Sequence, residues 1–281
     1  MGLIVWDSSA IWANSQNILF RYSVVTRGKT IVDVCPSEIA KNKYKNAIVF
    51  DLKNSIIIPG FIDCHSHFEL TSLHKHNCFS NLFDLMIKSG KYHRNSSLCD
   101  IKKSCQIGQQ MSLKNGIVYS LDWASCFLEE RRYLNPETVM PMFEIIDPLG
   151  VKYKDINFNV NFNRYGLAPH SIYMVDIETL NKVFAAKKLV SIHIAETIYE
   201  KTWINTHGGP LFYHCKENSA ISNINGFYEN WFDLLKTSIT SQGIIYVHGV
   251  HLTDYDLDSI KSQKSYLCLC PESNMALSGG G

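Results

Sequence analysis

The stretch Pro59 to Glu69 reads Pro-Gly-Phe-Ile-Asp-Cys-His-Ser-His-Phe-Glu, and it sets two imidazoles two positions apart at the end of an apolar run. On a strand, alternate side chains point to one side. His65 and His67 then face a common point and are spaced to grip one metal ion. Alone, the pair fits two histidines on a polar face equally well. Two further apolar runs end the same way: Leu189 to His193, followed by Ile194, Ala195 and Glu196, and Ile244 to His248. Core packing does not ask for histidine at the end of one buried strand after another. In a barrel of alternating strands and helices, the strand carboxyl ends converge on one mouth. His65, His67, His193 and His248 would share that mouth. Three neutral imidazoles hold a divalent metal, which lowers the pKa of bound water towards roughly 7. Glu196, three residues after His193, reaches the same mouth and can move protons.

The elements that must carry these residues are legible as alternation. Before residue 58 the chain reads as short β segments: 18–25 and 30–34 around a turn at Arg27-Gly28-Lys29, then 47–50 and 56–58. Strands joined by short turns suggest a small sheet or sandwich. From Gly60, apolar runs alternate with helical stretches. Strands are expected at 61–62, 116–121, 139–146, 158–162, 189–193, 244–248 and 266–270, and helices at 100–114, 176–187 and 253–260. Asp176 and Thr253 stand where helix N-caps belong. Near-continuous apolar strands with helices between them indicate a parallel sheet or (β/α) barrel. Seven strands are counted where a closed barrel needs eight. Residues 198–240 form a long excursion with Trp203, Gly208-Gly209 and Trp231. Such a segment is either a lid or a helical hairpin on the rim.

Composition narrows the class. The 281 residues carry a net charge of +1, with 46% hydrophobic and 19% charged residues. That is too apolar for a disordered chain, and the basic excess expected of a nucleic-acid binder is missing. No apolar run approaches the roughly 18 residues of a membrane span. The first twenty residues lack the basic and apolar regions of a signal peptide. Nine cysteines at scattered positions, without a Cys-x-x-Cys, are expected to be reduced in a cytoplasmic protein. A metal site at Cys268-x-Cys270 is the alternative. The expected partner is a small-molecule substrate, not nucleic acid or membrane, with a second copy of the chain as a homodimer partner.

The assembled motifs resemble the metal-dependent amidohydrolase superfamily, in the branch of cytosine, guanine and related aminohydrolases. The matching pieces are 59–67, Ala168-Pro169-His170 with Tyr173, His193 to Glu196, His248 to Asp254, and Cys270 to Asn274 with 277–279. They occur in the family's order across most of the chain. The segment His67 to Leu70, with Gly208-Gly209 and Ser273-Asn274, looks most like the aminofutalosine deaminases of an alternative menaquinone route.

The resemblance implies a TIM-like (β/α)8 barrel over 59–281 and a small N-terminal β-sandwich-like domain over 1–58. It implies His65, His67 and His193 as ligands of one divalent metal, zinc first and iron second. Glu196 would shuttle a proton to a ring nitrogen, and His248 would orient the attacking hydroxide. His170, Glu69, Ser273 and Asn274 would meet the substrate, an aminopurine-like or other cyclic amidine that loses ammonia. The family pattern also has an aspartate ligand after an eighth strand, and that position would fall beyond Gly281. On this reading the barrel stops before its eighth strand and the small domain lacks its closing strands. An inactive remnant, or a chlorohydrolase or cyclic amidohydrolase with the same site, remains open at this point.

Overall fold

In a computed structural model, the described residues are 2–74, 79–125, 134–161, 164–217, 226–235 and 243–277. They divide into two compact units, Met1–Phe61 and Ile62–Gly281.

The first unit is one five-stranded sheet. Strand β1 (Leu3–Asn14) is its centre, with β2 (Asn17–Phe20), β3 (Tyr22–Arg27), β4 (Thr30–Pro36) and β5 (Ile48–Ile57). The hydrogen-bonded order is β2-β1-β3-β4, and β5 pairs with β1 in parallel. Sequence reasoning missed β1, whose Asp7-Ser8-Ser9 interrupts the apolar pattern. In the fold Asp7 accepts from the Ser23 hydroxyl at 3.1 Å and pairs with Lys41 at 2.6 Å, so a buried carboxylate is satisfied inside a strand. Two expected segments, 47–50 and 56–58, are joined in β5. Its polar middle reads as a turn. There Asn54 takes a left-handed φ of 64° and donates its N–H to Ser9 Oγ at 3.0 Å, which bulges the strand without ending it. Val5, Val25 and Ala40 form this unit's own small core, the last from the helix Ser37–Lys43.

Among the described residues, seven strands follow in sequence order: β6 (Phe61–Ser66), β7 (Ile117–Ala124), β8 (Val139–Ile145), β9 (Gly166–Pro169), β10 (Ser191–Ile194), β11 (Ile245–His248) and β12 (Tyr266–Cys268). One sheet runs β6-β7-β8-β9 and another β10-β11-β12. The pairings β7–β8, β8–β9, β10–β11 and β11–β12 are parallel. Parallel bridges Leu167–Val190 and Ser171–His193 carry the ladder from β9 to β10. The architecture is therefore the α/β, TIM-like arrangement that the strand–helix alternation predicts.

One expected strand is wrong. Residues 158–161 form a helical turn, and the strand lies at Gly166–Pro169; Phe162 lies outside the described residues. The alternating Phe-Asn-Val-Asn run mimics period two, but Asn157 Oδ1 accepts the Asn159 N–H at 3.0 Å and turns the chain. The true strand is only four residues, all buried, too short to show a period. It opens on Gly166 because Met142 of β8 occupies the space a Cβ would need.

Among the described residues the core of this unit falls into three clusters, one of them Phe68, Ile101, Cys105, Leu134 and Val139. Leu121, Trp123, Met142, Ala168, Ile245 and Val247 cluster together on the sheet. A larger cluster joins Ile192, Ile194 and Tyr246 to the helices Ile177–Phe184, Ile198–Thr206, Pro210–Glu217 and Trp231–Leu235. Fully burying each such side chain contributes about 1.5–3 kcal/mol. Trp203, Leu211 and Trp231 are among the buried members. The described part of 198–240 is thus helical and built into the core, which favours the hairpin over the lid. The expected helices are found at Leu98–Lys114, Ile177–Phe184 and Asp254–Ser262, with Ser97, Asp176 and Thr253 as side-chain caps. No described helix is long and apolar enough to cross a membrane. The seven described cysteines are free thiols, and Cys78 and Cys126 lie outside the described residues.

Candidate active site

Four strand ends deliver histidines to one place. His65 sits near the end of β6 with His67 just beyond it, His170 follows β9, His193 lies within β10, and His248 ends β11. The rings of His65 and His193 are 4.8 Å apart, those of His193 and His248 5.2 Å, and those of His170 and His193 4.9 Å. Trp123 of β7 forms the floor, its ring 4.2 Å from His193 and 4.9 Å from His65.

Hydrogen bonds assign the imidazole nitrogens. His193 Nδ1 is 2.8 Å from the carbonyl of His170. A carbonyl only accepts, so Nδ1 carries the proton and Nε2 presents a lone pair. That Nε2 lies 3.2 Å from His65 Nε2. Two nitrogens so placed need a proton or a cation between them. Two nitrogens on one zinc at its usual bond length stand about 3.3 Å apart in tetrahedral geometry. His65 Nδ1 is buried with no hydrogen-bond partner among the described residues. Burial holds His65 and His193 well below the ordinary imidazole range, with the neighbouring histidines adding to it, and lowers His170 to about 3. These are neutral donors, the form a metal requires. The donor set and its spacing fit a divalent ion. Among the described residues, the one group of three or more candidate ligands is His65, His193 and His248, their ligand atoms all within 4.8 Å. His67 was expected in that group and His248 was not. His67 stands after the strand, its ring 4.9 Å from His65 and 6.0 Å from His193. The Cys-x-Cys alternative gathers no such group.

Beside the histidines lies a buried acid. Glu196 Oε1 is 3.6 Å from His248 Nε2, and burial raises the Glu196 carboxyl to about 7. His248 Nδ1 in turn meets Asn274 Oδ1 at 2.8 Å. Burial lowers His248, while the bond to Asn274 acts the other way. A carboxyl poised near neutrality is suited to giving and taking a proton. Glu196 follows Ala195, a non-glycine residue at φ 52°. Left-handed backbone costs such a residue roughly 1–2 kcal/mol.

The five histidines and Glu196 open on a cavity of about 340 Å³, within the usual range for small-molecule sites. His65, His67, His170, His193, Glu196, His248 and Ser273 line it. Glu69 and Asn274 do not, although both were expected to meet substrate. Asn274 is buried against His248. Glu69 is buried behind the wall, 3.0 Å from His93 Nε2, and accepts the Ser125 N–H at 3.3 Å. It is His93 that reaches the cavity. Glu144 also lines it, whereas Asp122 accepts the Phe68 N–H at 2.9 Å and holds the turn after β6.

The wall carrying His93 was missed from sequence. It is the helix Leu82–Asn95, which shows Leu82, Leu85, Met86, Ser89 and His93 to the cavity. The signal was available: Asn81 accepts the Asp84 N–H at 3.0 Å as a side-chain cap, and the lining positions follow helical spacing. Other histidines lie elsewhere. His207 contacts the Gly226 carbonyl at 2.7 Å, His214 lies against Phe83, and His76 is outside the described residues.

The chain is similar to several known proteins. The chain is 25% identical to the adenosine deaminase of Helicobacter pylori over 287 residues, covering 93% of this chain and 68% of that protein. It is 23% identical to the 5'-deoxyadenosine deaminase of Methanococcus maripaludis, covering 99% of this chain and 65% of the relative. The crystal structure of Helicobacter pylori aminofutalosine deaminase with methylthio-coformycin superposes with a TM-score of 0.78 at 21% identity, over 99% of this chain and 72% of that one. The chain therefore spans about two thirds of the length of the relatives it matches. The amidohydrolase family pattern matches residues 56–280. With strand-end histidines, a buried acid and that match over most of its length, the chain belongs to the amidohydrolase family, hydrolases that act on carbon–nitrogen bonds.

Proposed function

We propose that the chain is a metal-dependent aminohydrolase that releases ammonia from an aminopurine-like or related cyclic amidine, with aminofutalosine among its candidate substrates. The observation that carries this reading is the pairing of two clusters in one cavity: His65 and His193 with nitrogens 3.2 Å apart, and Glu196 3.6 Å from His248. The deaminase relatives support it.

His65 and His193 are the core of the metal site, with His67 as the third ligand, and zinc is the expected ion. When bound, a divalent ion there lowers the pKa of water and makes hydroxide available near neutral pH. Glu196 takes a proton from the attacking water and delivers it to the substrate ring nitrogen. It then takes the second proton from the newly added hydroxyl and passes it to the departing amine, so that the carbon keeps the oxygen as a carbonyl and ammonia leaves. His248, with its Nε2 lone pair turned towards Glu196, accepts a hydrogen bond from the attacking water and holds it in line. His170 and Ser273 contact the substrate from the wall. Glu69 acts through His93, and Asn274 through His248. The reading takes the seven strands as most of an eight-stranded barrel beginning near residue 59. It takes the N-terminal sheet as one layer of a sandwich-like domain, and the whole as a cytoplasmic enzyme.

The test is an ammonia-release screen of the purified chain over aminopurine bases, their nucleosides, cytosine and aminofutalosine, with metal content measured on the same sample. Release from at least one aminopurine compound is expected. No release from any of them by metal-loaded, folded protein overturns the reading.

A further inference from the structure

Glu200, the third residue of the helix Ile198–Thr206, is buried and does not line the cavity. Its carboxyl nevertheless reaches back across the turn that delivers Glu196. Oε1 accepts the N–H of Glu196 at 2.8 Å and of Thr197 at 3.1 Å, and Oε2 accepts the N–H of Ala195 at 3.0 Å. A capping glutamate ordinarily meets only the N–H of the N-cap residue, here Thr197. Glu200 takes two more, from the residues before the cap. The carbonyl of Ala195 is held from the other side by the His251 N–H at 3.0 Å. Between these restraints Ala195 adopts φ 52°, a conformation that persists only where the surroundings dictate it. The left-handed residue turns strand β10 into the helix and brings Glu196 to the cavity with His193.

We propose that Glu200 is a positioning residue for Glu196: its buried carboxyl clamps three successive backbone N–H groups and so fixes the direction in which the proton-transfer side chain points. The inference rests on the role of Glu196 given above. It goes beyond helix capping, which needs one of the three bonds. It also accounts for a carboxyl being kept out of water next to a second one. Both the neutral and the ionised carboxyl offer the oxygens the clamp uses.

The test is backbone amide hydrogen exchange at Ala195, Glu196 and Thr197 in the full chain, together with kcat and KM. Glu200→Gln keeps the shape but leaves a single acceptor oxygen and turns an NH2 group towards backbone donors. Exchange at the three amides is expected to quicken about tenfold or more. The kcat is expected to fall about tenfold or more, with KM and bound metal unchanged. Exchange as slow as in the unsubstituted chain overturns the proposal. So does a variant whose only change is a lower unfolding midpoint at unchanged kcat. If Glu200→Gln does not fold, Glu200→Asp is read instead: its carboxylate is one methylene short, and intermediate exchange at the same three amides is expected, while unsubstituted rates contradict the clamp. If the unsubstituted chain shows no turnover, the deaminase reading fails, and the exchange rates alone decide the clamp.

Discussion

His248 Nδ1 lies 2.8 Å from Asn274 Oδ1, and both side chains are buried. The amide oxygen only accepts, so it fixes the proton on Nδ1 and leaves the Nε2 lone pair facing Glu196. Asn274 belongs to the helix Pro271–Leu277, which also brings Ser273 and Leu277 to the cavity. The Ser-Asn pair near the chain's end therefore divides its work, Ser273 at the cavity and Asn274 behind the histidine.

Asn274→Ala should lower kcat by about 10–100-fold while KM changes little, because the imidazole loses its orienting partner. Asn274→Asp should retain more activity, since a carboxylate accepts the same proton. Steady-state kinetics of the two variants decides the matter. Equal losses would mean that the bond does not set the His248 tautomer.

His65→Ala should lower bound metal and activity together. Its Nε2 is one of two nitrogens 3.2 Å apart, and losing one leaves the other without its co-ligand. Metal analysis after dialysis checks this. Unchanged metal content in the variant would remove His65 from the ligand set.

Glu196→Gln should keep its metal and lose turnover by about 10²–10⁴-fold, because the amide preserves the volume but cannot carry a proton. Activity near that of the unsubstituted enzyme would refute the proton-transfer role.

Stability should fall as pH rises from about 6.5 to 8. Burial raises Glu200 from its ordinary 4.5 to about 8. A folded pKa above the unfolded one means that the native state holds a proton the unfolded chain has lost. That stabilisation is complete below about pH 4.5 and disappears as pH passes through 8. The buried histidines, with lowered pKa, act in the opposite sense, but only below about 6.5. Between 6.5 and 8 the two buried carboxyls set the slope, at most about 1.4 kcal/mol per pH unit for each proton, with Glu196, raised to about 7, adding to Glu200 in the lower part of the window. Urea unfolding across that window should show a shallower slope in Glu200→Gln than in the unsubstituted chain.

Much of the site was readable because histidine is an unusual way to end an apolar strand. His65, His193 and His248 announce themselves by position, and Glu196 by its distance from His193. What escaped sequence reasoning depends on contacts between distant segments. Glu69 and Asn274 are polar residues in matching motifs, yet each spends its side chain on a histidine, His93 or His248. Their separation in sequence carries no trace of that. The strand at Gly166–Pro169 is hidden because four buried residues have no period. The false strand at 158–161 arose because a capped asparagine turn can imitate alternation. Glu200 was not singled out, since nothing in its spacing reveals that it reaches past the cap.

The most direct measurement is ammonia release during metal titration of the chelator-stripped chain, using the best substrate of the screen. The account predicts a rate that starts near zero, rises with added zinc and levels off at about one equivalent per chain, with His65→Ala flat over the same range. Ammonia release by the stripped chain at its full rate, or an equal response in His65→Ala, would contradict it.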